Sequence, residues 1–443
     1  METDSGNNLL KTDKTIVKGE HNTATIMTDS VEEKALEQVQ ELTNLKQLEK
    51  ANIVFMPDIH YGKGTNIGTT IKFDSIEDAK VNPQWVGNDI SCGLTSVRIG
   101  RVEDIELDFD KLDELSRELH KPIGNRKDNI DKFNNDLWEK IGRVSGGNHF
   151  LEIGEMDGYY WVTVHNGSLS LGQKVYKEFT ELSNNKKMDS WTRTSIIDEL
   201  KANNQQRYIQ PILQLISELD KERSTGVLDG EELKDYLSAI AQCDAYAFKN
   251  RQLVIQRVLE VIFDIKVTHV LKKEGDNLNL YNTFFSEEYL EKSLPLMNSP
   301  HNYIKLGADK SVTVFKGACS AEEGEDVLIP INMRDGIIVG KGLGNSGWNE
   351  AAPHGAGRLM SRTKAKKNIE LDTYLTQLKG VRGISINENT LDEAPDAYKS
   401  MDYILDRIKD TVEVTGIIKP VYNFKVAEEE PHWMRKKKAK EKN

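Results

Sequence analysis

The sequence predicts an α+β fold in which β-rich segments flank a long helical block. Short apolar runs that are typical of buried strands recur before residue 165 and again after residue 300. Between them, residues 183–265 carry apolar residues at helical spacing, which predicts a helical insertion that shapes a site without supplying its ligands. The 443 residues suffice for two or three ordinary domains or for one elaborate domain with insertions.

Hydrophobic spacing predicts the individual elements in chain order. Residues 31–50 predict an amphipathic helix, because Leu36, Val39 and Leu42 fall on one face. The same spacing predicts helices over residues 104–121 and 396–409. The predicted strands are residues 53–56, 67–73, 94–99, 159–164, 303–305, 311–315, 327–330, 337–339 and 421–426.

Charge and composition narrow the class of protein. A net charge of −12 argues against nonspecific coating of nucleic acid, although it is compatible with a local basic channel. No apolar run approaches the roughly 20 residues that span a bilayer, and three cysteines do not make a disulfide framework. The acidic N-terminus lacks a secretory signal. We expect a cytoplasmic protein without membrane contact, a partly disordered N-terminus over residues 1–30 and a basic tail over residues 427–443.

A candidate metal site begins in the glycine-flanked turn at residues 87–93. Asp89 and Cys92 lie three apart there, although a buried thiol beside a turn-capping carboxylate is an equally ordinary interpretation. His149 follows two glycines, His165 ends a predicted strand and His301 precedes another. This mixed set of oxygen, sulfur and nitrogen donors suits a transition metal better than Ca²⁺ or Mg²⁺. Ligand softness alone favours zinc.

A second candidate site begins at His354. The small residues 355–357 would leave backbone N–H groups free to face a phosphate at the start of a helix. Arg358 would then supply a fork-shaped partner for that phosphate. The polar loop at residues 57–64, which contains Asp58 and His60, is compatible with a functional role and with ordinary turn chemistry.

Six segments of the chain resemble motifs of the RtcB-type RNA ligases. They occur in the family's order and extend from about Phe55 to Lys425, and six in order are hard to attribute to chance. The resemblance implies a single RtcB-like catalytic domain over residues 31–426, with mixed β-sheet layers and the helical insertion. The matching segments are residues 56–60, 87–93, 147–152, 164–168, 301–302 and 354–362.

The resemblance also implies an activity. The family joins RNA 3′-phosphate or 2′,3′-cyclic phosphate ends to 5′-hydroxyl ends, using GTP and Mn²⁺, and passes through a histidine–guanylate intermediate. His354 matches the histidine that becomes guanylylated. RNA ends would be the partners of such an enzyme, and we expect it to be a monomer.

By the family's pattern, Cys92 would bridge two Mn²⁺ ions, with Asp89 and His149 completing one site. His165 and His301 would complete the other. Manganese is not the metal that the thiolate predicts, so its assignment rests on the resemblance. The residues that match guanylate contacts are Asn148, His149, Phe150, Leu151, Glu152, His301, Asn302, His354, Gly355, Ala356, Gly357 and Lys425.

The chain departs from the family pattern at several positions near the substrate. Leu169 stands where a phosphate-binding Arg is usual, and Ile337 stands where a guanylate-contacting Ser is common. Asn332 lies in a loop that usually reads Pro-Gly-Ser-Met. These departures imply a divergent paralogue that acts in RNA repair and selects GTP less strictly than the family norm.

Two other functions fit parts of the pattern. A metal-dependent phosphoesterase acting on RNA cyclic phosphate ends would use the metal ligands, but it would have no need of the segment around His354. A non-enzymatic RNA-end binding protein would need neither the metal ligands nor the segment around His354. The sequence therefore favours the ligase.

Overall fold

The computed structural model describes residues 14–120, 141–184, 190–223, 226–264 and 295–426, and its mixed helices and sheets confirm the α+β fold class. The helices are α1 (Glu33–Thr43), α2 (Phe109–Glu118), α3 (Leu169–Asn184), α4 (Ser190–Ala202), α5 (Ile209–Arg223), α6 (Gly230–Ile262), α7 (Arg362–Asn368), α8 (Leu371–Gln377) and α9 (Met401–Arg407). The strands are β1 (Thr15–Lys18), β2 (Thr23–Ile26), β3 (Ala51–His60), β4 (Ile67–Phe73), β5 (Gly93–Arg101), β6 (Phe150–Met156), β7 (Tyr159–Asn166), β8 (Leu296–Pro300), β9 (Asn302–Leu306), β10 (Val312–Lys316), β11 (Ala318–Ser320), β12 (Asp326–Asn332), β13 (Gly336–Gly342), β14 (Ala351–Pro353) and β15 (Val412–Lys425).

The described strands form two large sheets and one small one. The first large sheet has six strands in the order β1-β2-β3-β4-β10-β9, and the second has seven in the order β12-β13-β15-β6-β7-β5-β8. Neighbouring strands are antiparallel except for the parallel pair of β2 and β3. Strands β11 and β14 pair with each other. The chain crosses from the seven-stranded to the six-stranded sheet at His301, which separates β8 from β9.

Helix α6 joins the cores of the two large sheets. Its first half packs Tyr236 and Ile240 into the hydrophobic cluster of the six-stranded sheet. Its second half packs Val254 and Val258 into the cluster of the seven-stranded sheet. The helix has 33 residues, so at 1.5 Å per residue it is about 50 Å long. This part of the predicted insertion at residues 183–265 therefore belongs to the core of the fold.

Part of the N-terminal stretch belongs to the six-stranded sheet. Strands β1 and β2 form an antiparallel hairpin, and β2 pairs in parallel with β3. Ile26 and Met27 are buried, which ties the hairpin to the six-stranded sheet. Residues 14–30 therefore belong to the folded domain, and the partial disorder predicted over residues 1–30 stays a prediction. Residues 1–13 and the predicted basic tail over residues 427–443 lie outside the described residues.

Two strands are longer than their apolar runs predict. Strand β3 continues to His60, which pairs with Ile67 beyond a register shift, so residues 57–60 are not the predicted loop. Strand β15 has 14 residues because its two halves pair with different neighbours. Ile418 and the residues before it pair with β13, whereas Lys419 and those after it pair with β6.

A search of the described residues finds no helix with the length and apolarity needed to cross a membrane. The cytoplasmic location stays a prediction from the sequence.

Two buried tyrosines should differ in how much their hydroxyl groups stabilise the fold. The hydroxyl of Tyr422 lies 2.8 Å from both Ser116 Oγ and Asp113 Oδ1. The hydroxyl of Tyr236 has no hydrogen-bond partner among the described residues. Since a buried unpaired hydroxyl is costly, Tyr236→Phe should leave the free energy of unfolding unchanged or raise it, whereas Tyr422→Phe should lower it by about 1–2 kcal/mol. Urea denaturation of both variants tests this, and an equal loss in the two would contradict it.

Candidate active site

Strand register brings four ligand-bearing segments to one end of the seven-stranded sheet. Gly93, at the start of β5, pairs with Asn166 of β7 and with Pro300 of β8. Phe150, at the start of β6, pairs with His165 of β7. The residues next to these pairs, which include Cys92, His149 and His301, are thereby placed side by side. Residues far apart in the sequence therefore meet because of which strands pair and in what register.

The turn before β5 is tightly fixed. Ser91 has a φ of 57°, an uncommon conformation for a residue other than glycine. Its N–H donates to the carbonyl of Asn302 at 2.6 Å, and the Cys92 N–H donates to the carbonyl of Asp89 at 3.2 Å. A Cβ on Gly167 would lie 2.0 Å from Asp89 Oδ1, so only glycine leaves room there for the carboxylate.

All five predicted metal ligands lie in one continuous cluster. Cys92 Sγ is 3.2 Å from His149 Nε2 and 3.1 Å from His165 Nε2. His149 Nε2 is 2.8 Å from Asp89 Oδ2. His165 Nε2 is 3.1 Å from His301 Nε2. The ligand atoms of Cys92, His149 and His165 all lie within 4.8 Å of one another, as required for a shared ion.

Hydrogen bonds outside the cluster aim the histidine nitrogens into it. The Nδ1–H of His165 donates to the carbonyl of Asn148 at 3.0 Å, which leaves its Nε2 lone pair facing Cys92 and His301. His149 Nδ1 bonds to Ser145 Oγ. Burial lowers the pKa of both His165 and His301 well below the ordinary value. Neutral imidazoles with an outward N–H bond are the form that binds metals.

The thiol of Cys92 is also suited to a metal. It is 1% exposed, and burial followed by the charge of Asp89 raises its pKa well above the ordinary value. A raised pKa favours the protonated thiol, but a bound dication would reverse this preference, because a coordinating thiol is deprotonated outright. The donor set of one sulfur, three nitrogens and one carboxylate, all facing inward, fits a transition metal.

His354 lies beside this cluster and is held by a buried carboxylate. Its Nδ1 is 2.8 Å from Asp58 Oδ2, and the Asp58 side chain is fully buried. The ring of His354 is 4.9 Å from that of His301, measured between centroids. Gly357 has a φ of 73°, and a Cβ there would lie 2.7 Å from the Asp58 carbonyl oxygen, so glycine lets the loop pack against β3.

The prediction of a helix starting at His354 is wrong. The histidine follows β14 directly, and α7 begins only at Arg362, with Ser361 as its N-cap. Arg358 is not free to bind a phosphate, because its donors reach the Met360 carbonyl, the Tyr398 hydroxyl and the Asp392 carbonyl. The loop is held by side-chain bonds that sequence spacing does not reveal.

A cleft of about 350 Å³ opens in front of His354. Of the residues predicted to contact guanylate, the cleft brings together Asn148, Phe150, Glu152, His354, Gly355, Ala356, Gly357 and Lys425.

Four of the predicted guanylate contacts do not line the cleft. His149 and His301 belong to the cluster of ligands. The side chain of Leu151 packs in the hydrophobic core. Asn302 instead braces the ligand turn, because its side chain donates to the Asp89 carbonyl and accepts from the Gly317 N–H.

The three family departures have different surroundings. Leu169 is 6% exposed and packs with Ile141 and Tyr246, away from the cleft. Asn332 lines the cleft, but its oxygen accepts from two backbone N–H groups of its own turn. Ile337 also borders the cleft, where it is fully buried.

The back of the cleft carries two buried acceptors without partners. Asn423 Nδ2 donates to Glu152 Oε2 at 2.8 Å. Glu152 Oε1 and Asn423 Oδ1 have no hydrogen-bond partner among the described residues. Burial raises the pKa of Glu152 to about 8. Unpaired buried polar atoms are costly, so they point to a ligand that bonds to them. A ligand with N–H donors would favour the ionised form of Glu152, in which both carboxylate oxygens accept.

Lys425 is paired within the protein before any ligand binds. Its Nζ is 2.5 Å from Glu393 Oε2, and Arg362 bonds to the other oxygen of the same carboxylate. Although burial acts to raise it, these two cations hold the pKa of Glu393 at about 2. The sequence does not predict this network, because no spacing signal joins Glu393 to its partners.

Together, fold and site define a class: an α+β protein in which a cluster of sulfur, nitrogen and oxygen ligands adjoins a polar cleft and a histidine–carboxylate pair. A comparison with known families then assigns the chain. The sequence model of one family, described as tRNA-splicing ligase RtcB, matches residues 38–135 and 123–426. The chain belongs to the RtcB family, which confirms the resemblance of its motifs.

Individual relatives are similar over most of their length. The RNA-splicing ligase RtcB of Escherichia coli (strain K12) is 26% identical, over 84% of this chain and 89% of the relative. The tRNA-splicing ligase RtcB of Nanoarchaeum equitans is 25% identical, over 89% of this chain and 91% of the relative. The tRNA-splicing ligase RtcB of Thermococcus kodakarensis is 25% identical, over 84% of this chain and 87% of the relative.

Replacing Cys92 should remove metal binding while leaving the fold intact. Cys92→Ala deletes the ligand atom that lies nearest to two of the histidines, and none of the other four ligands is a thiol. Metal retained after dialysis against Mn²⁺ or Zn²⁺ should fall to background. Cys243→Ala and Cys319→Ala are matched controls, since both thiols are buried and neither belongs to the cluster. Metal loss in either control would show that the wrong cysteine is assigned.

Glu152 should make stability depend on pH. Its pKa rises from 4.5 to about 8 on folding, so between these values the folded protein holds a proton that the unfolded chain has lost. The stabilisation is complete below pH 4.5 and disappears as the pH rises through about 8. Glu152→Gln should make the free energy of unfolding depend less on pH. At pH 8 the variant should be more stable than wild type by an amount of the order of a few kcal/mol. The free energy of unfolding is measured by urea denaturation without nucleotide at several pH values, and Glu155→Gln is the control because Glu155 is exposed. If the stability of Glu152→Gln falls with pH as steeply as that of wild type, Glu152 is not the group responsible.

Proposed function

We propose that this protein is a GTP- and Mn²⁺-dependent RNA ligase that joins 3′-phosphate or 2′,3′-cyclic phosphate ends to 5′-hydroxyl ends. Membership of the RtcB family supports an RNA ligase, and relatives of that family carry the names RNA-splicing and tRNA-splicing ligase. The observation that carries the finer proposal is the Asp58–His354 pair, which stands between the ligand cluster and the cleft.

The cluster would hold two Mn²⁺ ions. Asp89, Cys92 and His149 would bind one, while Cys92, His165 and His301 would bind the other. When bound, the ions would neutralise phosphate charge and orient the pyrophosphate leaving group of GTP. The support for a metal is the convergence of the five donors, three of which have ligand atoms within 4.8 Å of one another, together with the outer hydrogen bonds of His149 and His165.

The nucleophile would be His354. Its Nδ1–H donates to Asp58, so the lone pair is on Nε2, the nitrogen available for attack. Attack of Nε2 on the α-phosphorus of GTP forms an N–P bond and breaks the bond to pyrophosphate. The Asp58 carboxylate then stabilises the positive charge that the ring acquires, as a carboxylate does for an imidazolium elsewhere.

The remaining steps need only water and the two RNA ends. Water opens a cyclic phosphate to a 3′-phosphate and a free 2′-hydroxyl. An oxygen of that 3′-phosphate takes the guanylate from His354, which breaks the N–P bond and restores the neutral ring. The 5′-hydroxyl then attacks the RNA phosphorus, loses its proton and expels GMP, which leaves a 3′,5′-phosphodiester.

The back of the cleft suits guanine. Asn423 Oδ1 and, in the ionised form of Glu152, Glu152 Oε1 are buried acceptors without partners among the described residues. The Watson–Crick edge of guanine offers N–H donors at two adjacent positions, whereas adenine offers one donor beside an acceptor. The weaker GTP selectivity predicted from Asn332 and Ile337 stays a prediction, and this pair of acceptors opposes it. Competition between labelled GTP and ATP for the protein adduct decides between the two.

His354→Ala should abolish the covalent guanylate and leave metal binding intact. The full chain is incubated with α-labelled GTP and Mn²⁺, and label that stays with the denatured protein is measured. Wild type should be labelled, and His354→Ala should show no label because the attacking nitrogen is gone. Asp58→Asn should slow labelling, since the carboxylate that orients the ring is replaced.

His165→Ala is the contrasting control, because a metal ligand should be needed for both metal binding and labelling. Label that persists in His354→Ala would show that the nucleophile is misplaced. A wild type that opens cyclic phosphates but never becomes labelled would instead be the phosphoesterase.

A further inference from the structure

We infer that Arg251, on helix α6, is a positioning residue that holds the two metal-ligand turns in register with each other. This inference rests on the proposed function to the extent that the cluster binds a metal. Arg251 lies in the helical block over residues 183–265, which the sequence predicts to shape the site without supplying its ligands.

Arg251 reaches both ligand turns with one nitrogen. Its Nη1 donates to the carbonyl of Ser91 at 3.0 Å and to the carbonyl of Asn166 at 2.8 Å. Ser91 precedes Cys92, and Asn166 follows His165. One guanidinium nitrogen therefore fixes the distance between the turn that carries the thiol and the strand end that carries the imidazole.

The other donors of the guanidinium are used to anchor it. Its Nε donates to Thr95 Oγ1 at 2.8 Å, and its Nη2 donates to Asn298 Oδ1 at 3.0 Å. The hydroxyl of Thr95 also donates to Asn298 Oδ1 at 2.8 Å, which ties the two anchors together. Because Thr95 is in β5 and Asn298 is in β8, the planar group is held in a single orientation by the sheet itself.

The surroundings argue against a purely structural arginine. Arg251 is fully buried, and burying a cation is expensive unless nearby charge compensates it. The negative groups that act on it electrostatically include Asp244, which lies seven residues or about two turns earlier on the same face of α6, Asp89, and Cys92 once a bound metal has deprotonated its thiol. Two of these three are proposed metal ligands. The buried cation therefore lies beside the ligand cluster, where the negative charge of the ligands compensates it.

The turn that Arg251 holds is strained. The positive φ of Ser91 is unfavourable for a residue other than glycine and persists only where surrounding contacts enforce it. The Nη1 bond to the Ser91 carbonyl is one such contact, and the Ser91 N–H bond to Asn302 is another. Loss of the guanidinium fork would let this turn relax and move Cys92 away from His165.

The test compares metal binding in full-length wild type, Arg251→Lys and Arg251→Gln. Lysine keeps the positive charge but cannot make the four directed hydrogen bonds of Arg251. The lysine variant therefore shows whether metal binding depends on those bonds or on the charge alone. Affinity is measured by calorimetric titration with Mn²⁺. Ligation by the thiol is followed through the near-ultraviolet thiolate-to-metal charge-transfer band after titration with Co²⁺. Circular dichroism and thermal midpoints without metal report on folding.

Both Arg251 variants should bind metal about 10- to 100-fold more weakly, the range found when a group that orients metal ligands is removed. The Co²⁺ charge-transfer band should weaken while circular dichroism stays native. If Arg251→Gln does not fold, Thr95→Val provides the second test, since it removes one anchor and leaves Arg251 in place. It should lose affinity by a smaller factor than Arg251→Lys.

Arg257→Lys is the matched control. Arg257 lies six residues further along α6 and donates to the carbonyls of Gly142 and Glu118, which lie outside the ligand turns. Equal metal loss in this control would assign the effect to helix stability and overturn the inference. If Arg251→Lys binds metal as tightly as wild type, the positive charge alone is sufficient, and the positioning role is overturned. A wild type that binds no metal would overturn the metal site itself along with the inference.

Discussion

The register of strands β5 to β8 is the constraint on which the site depends. Antiparallel pairing puts Gly93 opposite both Asn166 and Pro300, and it puts Phe150 opposite His165. A slip by one residue in any of these pairs would turn a ligand to the other face of the sheet. The apolar residues on the buried face resist such a slip, because it would expose them. The hydrophobic core therefore determines how the ligand-bearing segments are placed relative to one another.

Burial gives the side chains of the site chemistry that water would not allow. It keeps His165 and His301 neutral, and it raises the pKa of Glu152 to about 8. It also leaves single acceptor atoms of Asp58 and Glu152 without partners among the described residues. Glu152 lines the cleft and Asp58 holds His354 at its edge, so at these two residues the fold accepts a cost in stability that a bound ligand could repay.

The two large sheets have separate tasks that meet at this cleft. The seven-stranded sheet supplies the ligand turns and, through β15, the lysine at the back of the cleft. The six-stranded sheet supplies Asp58 on β3, which holds His354 from the opposite side. Helix α6 packs against both cores and inserts Arg251 between the turns. This division of tasks belongs to a chain of the RtcB family.

The sequence by itself determined the fold class, most of the strands, the family and the residue types that carry the chemistry. These follow from local periodicity and from short motifs, which a linear pattern contains in full. The tertiary structure alone decided that His354 follows a strand and not a helix start, that Arg358 and Lys425 are already paired, and that residues 14–30 belong to the folded domain. It also decided the partners of Glu393 and Arg251. Those contacts join residues that are far apart in the chain, so they depend on strand order, register and burial, and no local spacing encodes them.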